Sequence, residues 1–306
     1  MSNPAASFEP YRRRLLGLAY RMLGSVADAE DAVQETYLRW HGANRDKVSD
    51  PKAYLMTTAS RICLDMLTSA RARREEYVGP WLPEPVLDTG ALAADSRTEL
   101  AEDLSIALLL SLDRLSPLER AAFLLHDVFD FSFSEVATTL ERSEAACRQL
   151  ATRARAHVRS VRPRGTMPPV HSGEIDPKHE QIISAFVTAT RSGDLEALKQ
   201  LLASDVRLVT DGGGKVAAAL NVLEGADHAS RFLVGAARKG WRDDLTLRLA
   251  IINDMPGVIL DAAEGPVQTT AFEIEDGLIR ALYVVRNPDK LRHVPTTSVP
   301  SESGPA

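Results

Sequence analysis

The sequence predicts a multidomain chain, with two all-α blocks followed by an α+β unit. Three observations predict it. Helix-start signals crowd residues 8–74 and 97–162, and prolines and glycines interrupt the chain at 79–85 and again at 163–176. Past 177 the apolar pattern changes from helical spacing to strand-like runs joined by a tight turn.

Composition agrees with such a chain. At 306 residues it exceeds one average domain, and 44% hydrophobic with 25% charged residues is ordinary for globular protein. Cys63 and Cys147 stand far apart, with no further cysteine or histidine cluster at ligand spacing. Both read as small buried hydrophobes, and no metal or cofactor is expected. The opening MSNPAASFEPYRRR holds no secretory signal, and no segment approaches the roughly 20 apolar residues of a membrane span, so a cytoplasmic protein is expected. The net charge of −6 alone argues against a nucleic-acid partner. Its distribution does not: Arg12, Arg13 and Arg14, then Arg71, Arg73 and Arg74, then Arg148, Arg153, Arg155, Arg159, Arg162 and Arg164 form three basic runs. One such run alone reads as a solvated helix face.

The first block, 8–74, opens helices at Ser25-Val26-Ala27-Asp28, a capping-box start, and at Asp50-Pro51, an N-cap followed by proline at N1. On the first of these helices Ala29, Val33, Tyr37 and Trp40 fall on one stripe and predict a core face. Asp31, Gln34, Glu35 and Leu38 fall on another. The linker, 75–96, carries Gly79-Pro80-Trp81-Leu82-Pro83-Glu84-Pro85, where prolines favour extended chain. Trp81 and Leu82 cannot build a core there, so docking onto another domain is expected.

In the second block, 97–162, Ser116-Pro117-Leu118-Glu119 and Ser132-Phe133-Ser134-Glu135 mark two helix starts. An apolar stripe of Val136, Ala137 and Leu140, a break at Glu141-Arg142-Ser143 and a second stripe of Ala146, Cys147 and Leu150 have helix-turn-helix spacing. Such a motif lays the start of its second helix in the major groove. Ser143, Glu144, Ala145, Arg148, Gln149 and Thr152 are the groove-facing candidates, with Arg148 suited to guanine and Gln149 to adenine. Arg153, Arg155 and Arg159 suit phosphates.

After a hinge at 163–176, Asp176-Pro177 caps a helix to about 191, and further helices are expected at 195–202 and around 230–238. Strands are expected at 245–252, 258–262, 267–274 and 278–285, with Glu275-Asp276-Gly277 joining the last two as a hairpin. The unit spans 177–294, and a disordered tail is expected over 295–306.

The stretch Asp28-Ala29-Glu30-Asp31-Ala32-Val33-Gln34-Glu35-Thr36-Tyr37-Leu38-Arg39-Trp40 resembles sigma region 2.2. Residues 54–74 resemble regions 2.3 and 2.4, and 115–159 resemble region 4. With no region 3 domain between them, the chain resembles the extracytoplasmic-function (ECF) RNA polymerase sigma factors. The resemblance implies a sigma-2 helical bundle and a sigma-4 helix-turn-helix. It implies that Asp31, Gln34, Glu35 and Leu38 dock onto the β′ clamp helices of core RNA polymerase. It also implies that region 2, through Arg61, Asp65, Arg71, Arg73 and Arg74, recognises the −10 element of promoter DNA. Region 4 would read the −35 element and touch the β flap. Ser60-Arg61 stands where many members carry Arg-Asn, and Thr68 replaces a common arginine, so the −10 sequence is not transferable.

Trp81-Leu82-Pro83-Glu84-Pro85, Asp211-Gly212-Gly213-Gly214-Lys215 and Asn287-Pro288-Asp289-Lys290-Leu291 together resemble the SigJ-like subgroup. There the added domain is a SnoaL-like, NTF2-type cone. This implies a regulator in cis that contacts the linker through Asp211, Gly213, Lys215, Asn287 and Asp289, with no separate anti-sigma factor required. Two other readings compete. One is a ligand-responsive helix-turn-helix repressor, which leaves the first block unexplained. The other is a SnoaL/ketosteroid-isomerase enzyme with a DNA-binding appendage, with Asp205, Asp211, His228 and Asp261 as titratable candidates. Fold analogy alone assigns no chemistry, and the expectation is a protein that is not an enzyme.

Overall fold

The structure, a computed structural model, describes residues 4–75, 77–87, 92, 103–161 and 174–296, with the backbone alone for 68–75 and 161. Most of the expected 163–176 hinge, much of the linker beyond 87, Arg162, Arg164 and the expected tail beyond 296 lie outside the described residues.

Helix α1, Pro4–Leu23, buries Phe8, Leu15, Leu18, Ala19 and Met22. Helix α2, Val26–Gly42, starts at Ser25, whose Oγ accepts the Asp28 N–H at 3.1 Å. The other half of the cap comes from the linker. Glu84 accepts the Val26 N–H at 2.7 Å and the Ser25 hydroxyl at 2.9 Å, so the linker adds to the cap of α2. On α2, Ala29, Val33 and Trp40 are buried, and Tyr37 lies edge-on to Phe8 at the rim. Helix α3, Pro51–Glu75, is capped by Asp50, which accepts the Ala53 N–H at 3.0 Å.

Residues 77–87 form no helix or strand, and the chain bends at Val78-Gly79, where Gly79 has φ 82°. Among the described residues four α-helices follow: α4, Ile106–Asp113; α5, Pro117–Phe123; α6, Phe133–Leu140; and α7, Glu144–Val161. Both expected capping boxes are present, Ser116 with Glu119 and Ser132 with Glu135. Between α6 and α7 the chain turns at Glu141, in the left-handed region at φ 55°. Ala146 and Leu150, expected in the core, are only half-buried. The inward stripe of α7 is Cys147, Ala151, Ala154 and Val158, rotated by one residue from the expected one.

The C-terminal unit holds α8, Pro177–Ser192; α9, Leu195–Leu201; and α10, Ala226–Gly240. These pack on a six-stranded sheet: β1, Leu202–Asp211; β2, Leu223–Glu224; β3, Thr246–Ile252; β4, Met255–Ala262; β5, Gly265–Glu275; and β6, Leu278–Val285. A short α11, Pro288–Leu291, closes the unit. The sheet order is β2-β1-β6-β5-β4-β3, antiparallel except for β1 against β6. This is the helix-on-sheet arrangement of the expected cone. Strands β1 and β2 were not expected, because β1 follows α9 with no intervening turn residue. Asp205, expected at a helix-to-strand turn, therefore lies within β1, and Asp261, expected just after a strand, lies within β4.

Three cores result. Apolar residues of α1–α3 and α4–α7 merge into one continuous cluster, so the two N-terminal blocks share a core. A second core fills the space between α8–α10 and one sheet face. The third lies on the opposite sheet face, where Leu82 of the linker and Ile106 of α4 pack among Val209, Ile259, Tyr283 and Leu291. The C-terminal unit thus buries the linker against the back of its sheet.

Candidate functional site

Three surfaces carry the residues singled out in the sequence. The first is a groove between α2 and α3. Its rim holds Asp31, Gln34, Glu35 and Asp65, and Leu38, Ile62 and Met66 provide its apolar part. Asp31 and Gln34 point outward, and Leu38 is 56% exposed, a large value for a leucine. Glu35 is steadied by Arg39 at 3.0 Å. The four residues expected to form one contact do share one face. Asp65, expected with the −10 set, also lines this groove from α3.

The second surface is the start of α7. Ser143 caps it, accepting the Ala146 N–H at 3.2 Å. Glu144, Ala145, Arg148, Gln149 and Thr152 are exposed, as a groove-reading set must be. Arg148 donates to Glu144 at 2.7 Å and lies 4.8 Å above the Phe133 ring. Arg153 reaches Glu119 at 3.4 Å and stays exposed. Arg155, expected at a phosphate, is half-buried and donates to Asp127 at 2.6 Å, bracing α7 against the preceding turn.

Arg61, also expected in the −10 set, reaches across to this second surface. Its guanidinium donates to the Thr138 and Thr139 carbonyls, both at 3.1 Å, and pairs with Glu141 at 3.1 Å. These are the last carbonyls of α6, where a cation also meets the negative end of the helix dipole. The Thr57 and Thr139 hydroxyls meet at 2.9 Å beside it. Arg71, Arg73 and Arg74 lie on the last turns of α3, and their side chains are outside the described residues.

The third surface is where the linker meets the C-terminal unit. Asp211, at the end of β1, is fully buried and accepts from three donors. These are the Tyr77 hydroxyl at 2.5 Å, the Leu82 N–H at 2.8 Å and the Lys290 ammonium at 2.7 Å. Lys290 also donates to the Leu82 carbonyl, and its ammonium sits 4.9 Å from the Tyr77 ring and 4.3 Å from the Trp81 ring. The buried carboxylate therefore has the partners its desolvation demands. Burial and the Asp211 bond push the Tyr77 phenol above its usual range.

Around this knot the three sequence motifs interlock. Leu82 is fully buried in the third core, Pro83 is buried, and the Trp81 indole lies against Gly24. Gly213, at φ 59°, abuts Asn287 and Tyr77 so closely that any side chain would clash. Asn287 donates to Tyr77 at 2.8 Å and caps α11 through the Asp289 N–H at 3.1 Å. Lys215 pairs with Asp289 on the surface. Sequence reasoning missed Tyr77, Lys290 and Glu84, the last despite its place in the proline motif. It also missed the Asn253-Asp254 turn, because the second strand, expected from 258, begins at Met255.

The titratable candidates for chemistry in the cone each have a structural partner. Asp205 pairs with Arg280 at 3.3 Å, and Asp261 pairs with Arg248 at 2.7 Å. The His228 ring meets the Glu224 carbonyl at 3.1 Å. Among the described residues, no helix is long and apolar enough to cross a membrane.

Comparison with known proteins is consistent across the chain. Residues 8–73 match the family model for Sigma-70 region 2, and residues 105–158 match that for Sigma-70, region 4. The chain is 40% identical over 302 residues to the ECF RNA polymerase sigma factor SigJ of Mycobacterium tuberculosis, covering 95% of this chain and 94% of that one. It is 30% identical over 290 residues to the probable ECF RNA polymerase sigma factor SigI of the same species, covering 94% of each. The crystal structure of the M. tuberculosis SigJ protein matches with a TM-score of 0.70 at 36% identity, covering 94% of this chain and 98% of that one.

Proposed function

The chain belongs to the ECF family of RNA polymerase sigma factors, and on that premise we propose how its surfaces divide the work of transcription initiation. Sigma factors bind core RNA polymerase and promoter DNA. Here the groove of Asp31, Gln34, Glu35 and Leu38 takes the β′ clamp helices, with Asp65 completing its acidic rim. The exposed start of α7 reads the −35 element, and α3 serves the −10 element. The C-terminal unit is a regulator in cis and not an enzyme, and it acts without a separate anti-sigma factor.

One observation carries the regulatory reading. The C-terminal unit grips the segment that joins the two reading blocks, with Leu82 inside its third core and Asp211 bonded to the Leu82 backbone. Full burial of a leucine side chain contributes about 1.5 to 3 kcal/mol. That is enough to add to the preference for one arrangement of the blocks.

The arrangement it favours is closed. The −10 and −35 elements are two separate stretches of the duplex. Arg61 on the −10 helix, however, touches α6 of the −35 reader. The blocks must separate before both elements are engaged.

The test is run-off transcription with core enzyme, comparing the parent with Trp81→Ala and Tyr77→Phe. Tyr77→Phe removes only the hydroxyl that meets Asp211 and Asn287. Transcript yield should change several-fold for both variants, while each half of the chain melts as in the parent. Equal yields from all three proteins would remove the regulatory reading.

A further inference from the structure

We propose that the tip of the β3–β4 hairpin, Asn253-Asp254, is a peg that the C-terminal unit inserts between the two reading blocks, and that its withdrawal lets them separate. The proposal rests on the cis-regulatory reading above and names the contact through which the regulation acts.

The tip is a two-residue turn between Ile252 and Met255, with Asn253 at φ 51° and Asp254 at φ 57°. Both residues adopt the left-handed region that this hairpin turn requires, which Asn and Asp tolerate better than other side chains. Hairpin tips normally face water. This one is buried, with Asn253 0% and Asp254 5% exposed.

What covers it comes from three different parts of the chain. The Asn253 amide donates to the Tyr20 hydroxyl of α1 at 2.7 Å. Asn253 and Val86 of the linker exchange two bonds, the Asn253 N–H to the Val86 carbonyl at 2.8 Å and the Val86 N–H to the Asn253 amide oxygen at 3.1 Å. Asp254 accepts the Leu104 N–H at 3.0 Å, on the segment that leads into α4. Tyr20 in turn donates to the Glu84 carbonyl at 2.7 Å.

Charge follows the same geometry. Arg21 of α1 is buried, and desolvation pulls its guanidinium down to about 10, against the attraction of Asp103 before α4 and Asp254 of the tip. One cation of the first block thus faces one carboxylate from the second block and one from the C-terminal unit.

The peg and the Asp211 knot have different consequences. The knot fixes the linker against β1 and α11, with Trp81 also against Gly24. The peg ties α1 directly to the entry of α4, and these cannot part while both hold the tip. Withdrawal leaves the Asn253 amide and the Tyr20 hydroxyl in need of water, so opening is a discrete step.

The experiment measures the distance between the blocks in the full chain, using spin labels on Asp46→Cys in the first block and Ser160→Cys in the second. Both positions are exposed, whereas Cys63 and Cys147 are buried and escape labelling. Asn253→Gly keeps the left-handed turn and removes the side chain. Tyr20→Phe removes one hydroxyl. Each should raise the ratio of long to short distances roughly tenfold and strengthen binding of a −35 duplex without core enzyme. Arg280→Ala, which breaks only pairs within the C-terminal unit, should keep the parent's distance distribution.

The peg is refuted if Asn253→Gly and Tyr20→Phe give the parent's distribution, or if Arg280→Ala opens the protein as far as they do. Should Asn253→Gly fail to fold, Tyr20→Phe decides alone. Failure of the regulatory reading is a separate outcome, seen when neither Trp81→Ala nor Tyr77→Phe changes transcription.

Discussion

Arg148 has a partner in the free protein, Glu144 on its own helix, and it leans on Phe133. Both members of the pair are exposed, and such an i,i+4 surface pair contributes only about 0.3 to 0.5 kcal/mol. A bidentate bond to guanine discriminates by about 1 to 3 kcal/mol. The exchange therefore favours DNA, and Glu144 holds the guanidinium ready beside the groove. Arg148→Ala should cost about 1 to 3 kcal/mol at the preferred −35 sequence and relax discrimination at one position, measured by competition across a −35 library. A uniform loss across the library would reduce Arg148 to the phosphate role expected of Arg159. Asp211 marks the limit of single-residue reading. In the sequence it opens a glycine turn and counts among the titratable candidates of a pocket, and only the SigJ-like resemblance names it as a linker contact. In the fold it is a buried anchor, because two of its donors, Leu82 and Tyr77, lie 129 and 134 residues away in the chain. No local pattern encodes that convergence.

Elements were legible wherever their signal is local. The caps at Ser116 and Ser132, the proline at position 51 and the Asp276-Gly277 turn depend on neighbours within four residues, and each stands where the sequence indicates. Strand β1 was not legible, because Leu202 closes α9 and opens the strand with nothing between them. The cap of α2 was half legible: Ser25 is local, but Glu84 arrives from the linker. On that helix the two stripes separate cleanly, with Ala29, Val33 and Trp40 inside and Asp31, Gln34 and Leu38 outside. Surface substitutions away from caps and cores change stability by less than about 0.5 kcal/mol. Asp31→Ala with Gln34→Ala should therefore abolish co-purification with core polymerase while the melting temperature stays near the parent's. Normal binding by the double variant would move the clamp contact elsewhere.

At the scale of the molecule, the sequence divides the N-terminal half into two blocks, and the structure joins them. The joint is a shared core reinforced by buried arginines. Arg14 donates to the Phe129 carbonyl at 2.6 Å, and Arg120 donates to the Met22 carbonyl of α1 as well as to Leu112. Pulling the blocks apart in a denaturant exposes those carbonyls and cations together, so neither block loses its fold without weakening the other. Each block carries its own reporter, Cys63 in α3 and Cys147 in α7, both fully buried. Burial pushes the Cys63 thiol up to about 12, so little reactive thiolate exists while the fold is intact. Thiol labelling followed along a urea gradient should therefore modify Cys63 and Cys147 at one shared midpoint. Trp241, which stacks on Arg191 in the C-terminal unit with its separate core, should report a transition of its own. Labelling of Cys147 at clearly lower urea than Cys63 would mean that the −35 reader unfolds alone and that the shared core does not couple the blocks.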